Sequence, residues 1–134
     1  MKTIGLVGGT GWVSTLEYYR LLNEGVNRRL GGHEAASCIL YSLNFGEVMR
    51  LKAADPDQGG VRLLVLHAAR ALVGAGAELL MLGANTLHAF ADDVARETGV
   101  PLVHIGDETG RHIRALGLDT VGLLGTRFTM ERDF

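Results

Sequence analysis

Apolar positions along the chain follow two rhythms. Short apolar runs stop at glycine, and between them lie longer stretches in which apolar residues return every third or fourth position, the pattern of strands followed by helices. Thr3 to Val7 is one such run, and it ends at Gly8-Gly9-Thr10-Gly11, where a backbone free of Cβ atoms can turn sharply. Ser14 and Glu17 stand at capping-box spacing, and Leu16, Tyr19, Leu22, Val26 and Leu30 continue at helical intervals until Gly31-Gly32. Ala36 to Leu43 reads as a buried second strand. Asn44 to Gly60 is a long polar stretch with a turn signal at Asp55-Pro56-Asp57, and a loop of that length usually carries function.

The alternation continues through the second half. Val61, Leu64, Val65, Ala68 and Leu72 form a helical stripe that closes near Gly74 and Gly76, and Leu79 to Leu82 gives a third strand with Gly83-Ala84-Asn85-Thr86 as its exit. Thr86 is placed to cap a helix whose inner face is Leu87, Phe90, Ala91 and Val94, with Gly99 at its end. Pro101 to Ile105 reads as strand four, Asp107 opens a helix reaching Leu116-Gly117, and Thr120 to Leu124 reads as strand five, turning at Gly125-Thr126. The expected class is α/β, with five parallel strands and helices between them. Only Arg127 to Phe134 remain, the start of a further helix at Thr129-Met130-Glu131-Arg132.

Composition narrows the possibilities. The 134 residues suit one compact domain, and 47% hydrophobic against 21% charged residues is a globular balance. Thirteen Lys and Arg against fifteen Asp and Glu leave no basic excess for phosphates, so nucleic acid is not an expected partner. No apolar stretch reaches the length of a membrane span, and one cysteine cannot form an internal disulfide, so a cytoplasmic protein is expected.

In an open parallel sheet, ligands bind beyond the carboxyl ends of the strands. The loops meeting there are Gly8 to Thr15, Asn44 to Arg50 and Gly83 to His88, with Gly125 to Arg127 as a fourth. Glycine-rich loops at helix starts favour an anion, and Arg50 could clamp a second anionic group or stand solvated in its loop. GLVGGTGW lacks the full dinucleotide fingerprint, Leu43-Asn44 stand where an acidic residue would end the second strand, and no P-loop lysine follows the glycines. Cys38 lies within the second strand and reads as an inert packed residue. His33, His67 and His112 show no metal-ligand spacing, and no metal is expected. His88 could orient its loop or pack as a hydrogen-bonded core residue. Trp12 and Tyr18-Tyr19 read as helix packing or a subunit contact.

Three stretches together, MKTIGLVGGTGWVSTLEYYRLLN, GANTLHAFADD, and PLVHIGDETG followed by VGLLGTRFTMERDF, resemble the cofactor-independent aspartate/glutamate racemase family. The resemblance runs the length of the chain and covers the family's first domain. It implies a flavodoxin-like parallel sheet of about five strands flanked by helices, one lobe of a two-lobe racemase fold. Residues 1–126 would form that lobe and 127–134 the beginning of the second. It also implies an isomerase that needs no pyridoxal phosphate or other cofactor, inverting aspartate, glutamate or a related amino acid by proton transfer at Cα. By resemblance Asn85 and Thr86 hold the substrate carboxylate and Thr10 lines the same cleft, although Asn85 and Thr86 also suit a turn and a helix cap.

The family moves the proton with two thiols, one from each domain. A cysteine of reference pKa about 8.5 can be tuned to act as base and as acid. Gly83 and Ala84 stand where the first of these cysteines belongs, so no catalytic residue of the pair is intact in this chain. The alternative is a catalytically inactive half-domain that binds a small carboxylate or a partner. A lobe with its cleft face uncovered is expected to self-associate as a homo-oligomer.

Overall fold

The computed structural model describes residues 1–55 and 57–131. In chain order the elements are β1 (Ile4–Gly8), α1 (Trp12–Leu30), β2 (Cys38–Ser42), α2 (Phe45–Ala54), α3 (Gly59–Gly74), β3 (Leu79–Leu82), a 3-10 helix (Asn85–Phe90), α4 (Ala91–Thr98), β4 (Leu102–Val103), α5 (Ile105–Ala115) and α6 (Arg127–Glu131). The strands form one parallel sheet in the order β2-β1-β3-β4. Ile4 faces both Cys38 and Leu79, and the register advances so that Val7 lies beside Tyr41 and Leu82.

The core forms between the sheet and the helices that follow β2 and β3. Of the predicted stripe, Val61, Val65, Ala68 and Leu72 are buried on α3 against Val7, Leu80 and Leu82 while Leu64 is partly buried beside them, and Leu87 and Val94 complete the core. Each fully buried leucine or valine contributes about 1.5–3 kcal/mol. Arg62 on α3 holds Asp93 on α4 through Nε and Oδ2 at 2.5 Å, fixing the two helices to each other.

Four expectations are corrected. The stretch from Asn44 onward is a helix rather than a long loop, because Asn44 Oδ1 accepts from the N–H groups of Gly46 and Glu47 and so caps α2. Asp55 then makes the turn into α3, accepting from Asp57 N and Gly59 N. Pro56 of that turn signal lies outside the described residues, as do 132–134 of the expected 127–134 segment.

Helix α1 is set differently on the sheet from the predicted stripe. It starts at Trp12 after a left-handed Gly11, with no side-chain cap from Ser14 or Glu17. Thr15, Tyr18, Leu22 and Val26 form its inner row, while Leu16, Tyr19 and Leu30 are more than half exposed. The Thr15 hydroxyl accepts from Gly9 N–H at 3.0 Å, and this bond sets the rotation of the helix over β1. Thr86 likewise caps nothing, since the 3-10 helix begins with Asn85 after an extended Ala84 and has no side-chain cap.

Among the described residues the sheet has four strands, not five. β4 is only Leu102–Val103, because His104 turns the chain at once and its Nδ1 caps α5 by accepting from Gly106 N–H. Thr120 to Leu124 pairs with no strand among the described residues. A two-residue β4 offers too short an edge, and Leu123 and Thr129 instead lie across the carboxyl-end loops beside His88 and His104. Thr120-Val121-Gly122-Leu123-Leu124-Gly125-Thr126 echoes Thr3-Ile4-Gly5-Leu6-Val7-Gly8-Gly9-Thr10 with one glycine fewer. β1 has a neighbour on each side, and its echo has none among the described residues.

One glycine holds the end of β1. Gly9 has φ +88°, and a Cβ there would lie 2.2 Å from the Leu43 carbonyl oxygen and 2.4 Å from its nitrogen. Gly9→Ala therefore combines left-handed strain with a clash against backbone and should cost at least about 2 kcal/mol. Urea denaturation should show a lower midpoint with an unchanged slope, and a midpoint equal to that of the parent chain would show that the loop can move away.

Candidate functional site

The hydrogen-bond ladder runs past the strand ends. Leu43 N–H donates to the Gly8 carbonyl at 2.9 Å and Gly83 N–H to the Val7 carbonyl at 2.8 Å, so the exits of β2 and β3 are tied to the exit of β1. Between these exits lies a cleft of about 700 Å³, a size suited to a small molecule. Thr10, Ser14 and Tyr18 line one side, Gly83 to Thr86 the floor, and Phe45, Met49 and Lys52 of α2 the other side. Gly125, Thr126, Phe128 and Thr129 complete the lining.

Three of the four residues expected to bind substrate, Thr10, Asn85 and Thr86, meet in this cleft. The Thr10 hydroxyl is buried with no hydrogen-bond partner among the described residues. Buried hydroxyls are normally partnered, so this one, facing a cleft, is available to a water or to a polar group on a ligand. Asn85 and Thr86 make no side-chain hydrogen bond to another described residue and open into the same space. Arg50 is exposed on α2 and is absent from the lining, its guanidinium lying near Gly46.

The cation in the cleft is Lys52, which sequence reading passed over. Phe45, Met49 and Lys52 share a face of α2 at i, i+4 and i+7, whereas Arg50 is turned about 100° from Met49. Lys52 Nζ stands 6.0 Å from the Phe128 ring centroid, and no carboxylate pairs with it among the described residues. Burial pushes its pKa below the ordinary lysine value. Burial also raises the Tyr18 phenol, which stays protonated at neutral pH.

Neither Gly83 nor Ala84 carries an ionisable group, and a Cβ at Gly83 would sit 3.1 Å from the Val7 carbonyl oxygen. Cys38 is half-buried and opens β2 opposite Ile4, at the far end of the sheet. Four strand residues separate it from the carboxyl edge, about 13 Å. His88 is buried behind the floor of the cleft, hydrogen-bonded through both ring nitrogens. Among the described residues no group of three or more His, Cys, Asp or Glu could hold a metal ion, and no helix is long and apolar enough to cross a membrane.

Comparison with known proteins agrees with this fold. A candidate Asp/Glu racemase from Yersinia pestis superposes with a TM-score of 0.92 at 45% identity, over 98% of this chain and 57% of that one. An aspartate racemase homologue from Pyrococcus horikoshii gives 0.78 at 38% identity, over 87% of this chain and 50% of that one. Picrophilus torridus aspartate racemase shares the fold at 20% identity, with a TM-score of 0.76 and 55% of its length covered. The chain thus spans little more than half the length of these relatives. The sequence model for Asp/Glu/hydantoin racemases matches residues 7–134, and the chain belongs to that family.

Proposed function

We propose that this chain is the substrate-gripping lobe of a two-lobe amino-acid racemase that works without pyridoxal phosphate. Residues 1–126 form the lobe and 127–134 lead into the second. The observation that carries this reading is the unpartnered Thr10 hydroxyl, buried in the same cleft as the open side chains of Asn85 and Thr86. The ligand is a small acidic amino acid. Its α-carboxylate meets the Asn85-Thr86 turn, and its second carboxylate meets Lys52, the cation that the α2 register turns inward in place of Arg50. The single cysteine of the chain fits a cytoplasmic setting.

Racemisation at Cα needs a base on one face and an acid on the other. Family resemblance assigns those roles to thiols, and this lobe presents glycine and alanine at the first position. Losing one such group costs about two to four powers of ten in rate. The lobe therefore binds and orients its amino acid, and on its own transfers no proton. The lack of a thiol at that position also favours a second reading, a carboxylate-binding module without catalysis.

Calorimetric titration tests the binding. L-aspartate or L-glutamate should bind and inorganic phosphate should not. Lys52→Met should weaken aspartate binding about tenfold, as expected for a lost charge-assisted contact of ~1.4 kcal/mol, and leave L-alanine unaffected. Phosphate binding in preference to aspartate would overturn the reading. Exchange of the Cα hydrogen in deuterated water tests the chemistry. The parent chain should show none, and Ala84→Cys joined to a second lobe carrying its own cysteine should restore it. Ala84 is the position to change because a Cβ at Gly83 would press on the Val7 carbonyl oxygen at 3.1 Å.

Trp12, Leu16 and Tyr19 form an exposed apolar row on the outer face of α1, and we propose that a second copy covers it. Light scattering should then report a dimer that Leu16→Glu returns to monomer. A monomeric parent at high concentration would exclude the contact.

A further inference from the structure

His88 is 3% exposed, and both of its ring nitrogens are engaged. A main-chain N–H can only donate, so the Nε2 that meets Ile105 N–H at 3.2 Å is unprotonated. The ring proton therefore sits on Nδ1, 3.1 Å from the Ala84 carbonyl oxygen that accepts it. One side of the ring grips the residue before Asn85 and Thr86. The other side grips the first residue of α5.

The first N–H groups of a helix lack partners within it. At α5 the Ile105 N–H goes to His88 and the Gly106 N–H to Nδ1 of His104, and the two rings meet edge to face with centroids 4.6 Å apart. An imidazole must be neutral to accept as His88 does at Nε2. A proton on His88 removes the acceptor and sets a positive charge against the positive end of the helix.

We propose that His88 is a positioning residue: its neutral Nδ1–H imidazole clasps the Ala84–Thr86 turn to the start of α5 and so fixes the floor of the cleft. Its consequence for ligands rests on the cleft reading given above, while the clasp itself does not.

Burial holds His88 below the ordinary value of 6.5, with the neighbouring His104 adding to this and hydrogen bonds to Ala84 and Asn85 opposing it. The titratable group facing it is His104, since Thr109, Ile113, Leu123 and Thr129 nearby carry no charge. Asp107 and Glu108 in the first turn of α5 are exposed. Of the other elements around the 3-10 helix, α3 and α4 pair Arg62 with Asp93, and α6 pairs Arg127 with Glu131. With its folded pKa depressed, His88 takes up its proton more readily in the unfolded chain. The stability supplied by the clasp is whole above pH 6.5 and drains away as pH falls toward the folded pKa.

Long-range proton–nitrogen NMR on the labelled chain reads the tautomer directly. At neutral pH His88 should show a protonated Nδ1 and a bare Nε2, and on acidification the amide signals of Ala84 to Leu87 and of Ile105 should move together. His88→Asn places an amide donor near the Nδ1 position and cannot reach Ile105, so the Ile105 amide should exchange about tenfold faster while the turn persists. A proton on Nε2, or unchanged exchange at Ile105, would overturn the clasp. L-aspartate affinity should fall about threefold to tenfold on acidification in the parent and lose that dependence in His88→Asn. If aspartate binds with the same pH profile in both, the positioning role falls and the cleft reading stands. If the clasp is seen and aspartate binds at no pH, the cleft reading falls and the clasp stands.

Discussion

All the strands run in one direction, and the rest of the structure follows from that constraint. A parallel strand delivers its exit loop to the same edge as its neighbours, so the segments after β1, β2 and β3 meet although they lie far apart in the chain. β1 sits between β2 and β3 and has no free edge. Its final carbonyls accept from Gly83 and Leu43, which locks the three exits into one body before any side chain contributes. The cleft is the gap that these locked exits leave.

Within that frame, helix register decides which side chains face the gap. The Asn44 cap fixes the start of α2, and three residues of its inward face reach the cleft while Arg50 points elsewhere. The Thr15 bond to Gly9 does the same for α1, turning Tyr18 inward and leaving Trp12, Leu16 and Tyr19 outside. Each is a local hydrogen bond at an element start, with consequences several residues away.

This explains which parts of the fold were legible in the sequence. The α3 stripe and the inner face around Leu87, Phe90 and Val94 were readable because burial on one side of a helix imposes its period directly. The loops that carry Thr10, Asn85 and Thr86 are readable because strand exits in a parallel sheet have a known destination, whereas the choice of those three residues within the loops comes from family resemblance. Lys52 was hidden, since choosing it over Arg50 requires knowing that Asn44 starts a helix, and the run of polar residues to Gly60 masks that. The sequence does not orient helix α1 because two apolar rows share it, and only the Thr15 contact says which faces the sheet. The fifth strand failed for another reason: Val121 to Leu124 has strand composition, but pairing requires an edge and β4 provides two residues.

The echo of β1 in Thr120 to Thr126 makes the same point about context. Leu6 and Val7 are buried at 3% and 0%, while Leu123 and Leu124, at matching places in the repeated pattern, are exposed at 63% and 94%. Apolar runs of this kind belong to strands covered on both faces, with neighbours on both edges. β1 has those neighbours in β2 and β3, and its echo has none among the described residues. A second lobe, as proposed, would supply the echo with a sheet of its own and set its exit glycine, Gly125, across the cleft from Gly83 and Ala84. Gly125 and Thr126 already line that cleft. Two strand exits of one pattern would then face each other across a single amino acid, the arrangement that chemistry on both faces of one carbon demands.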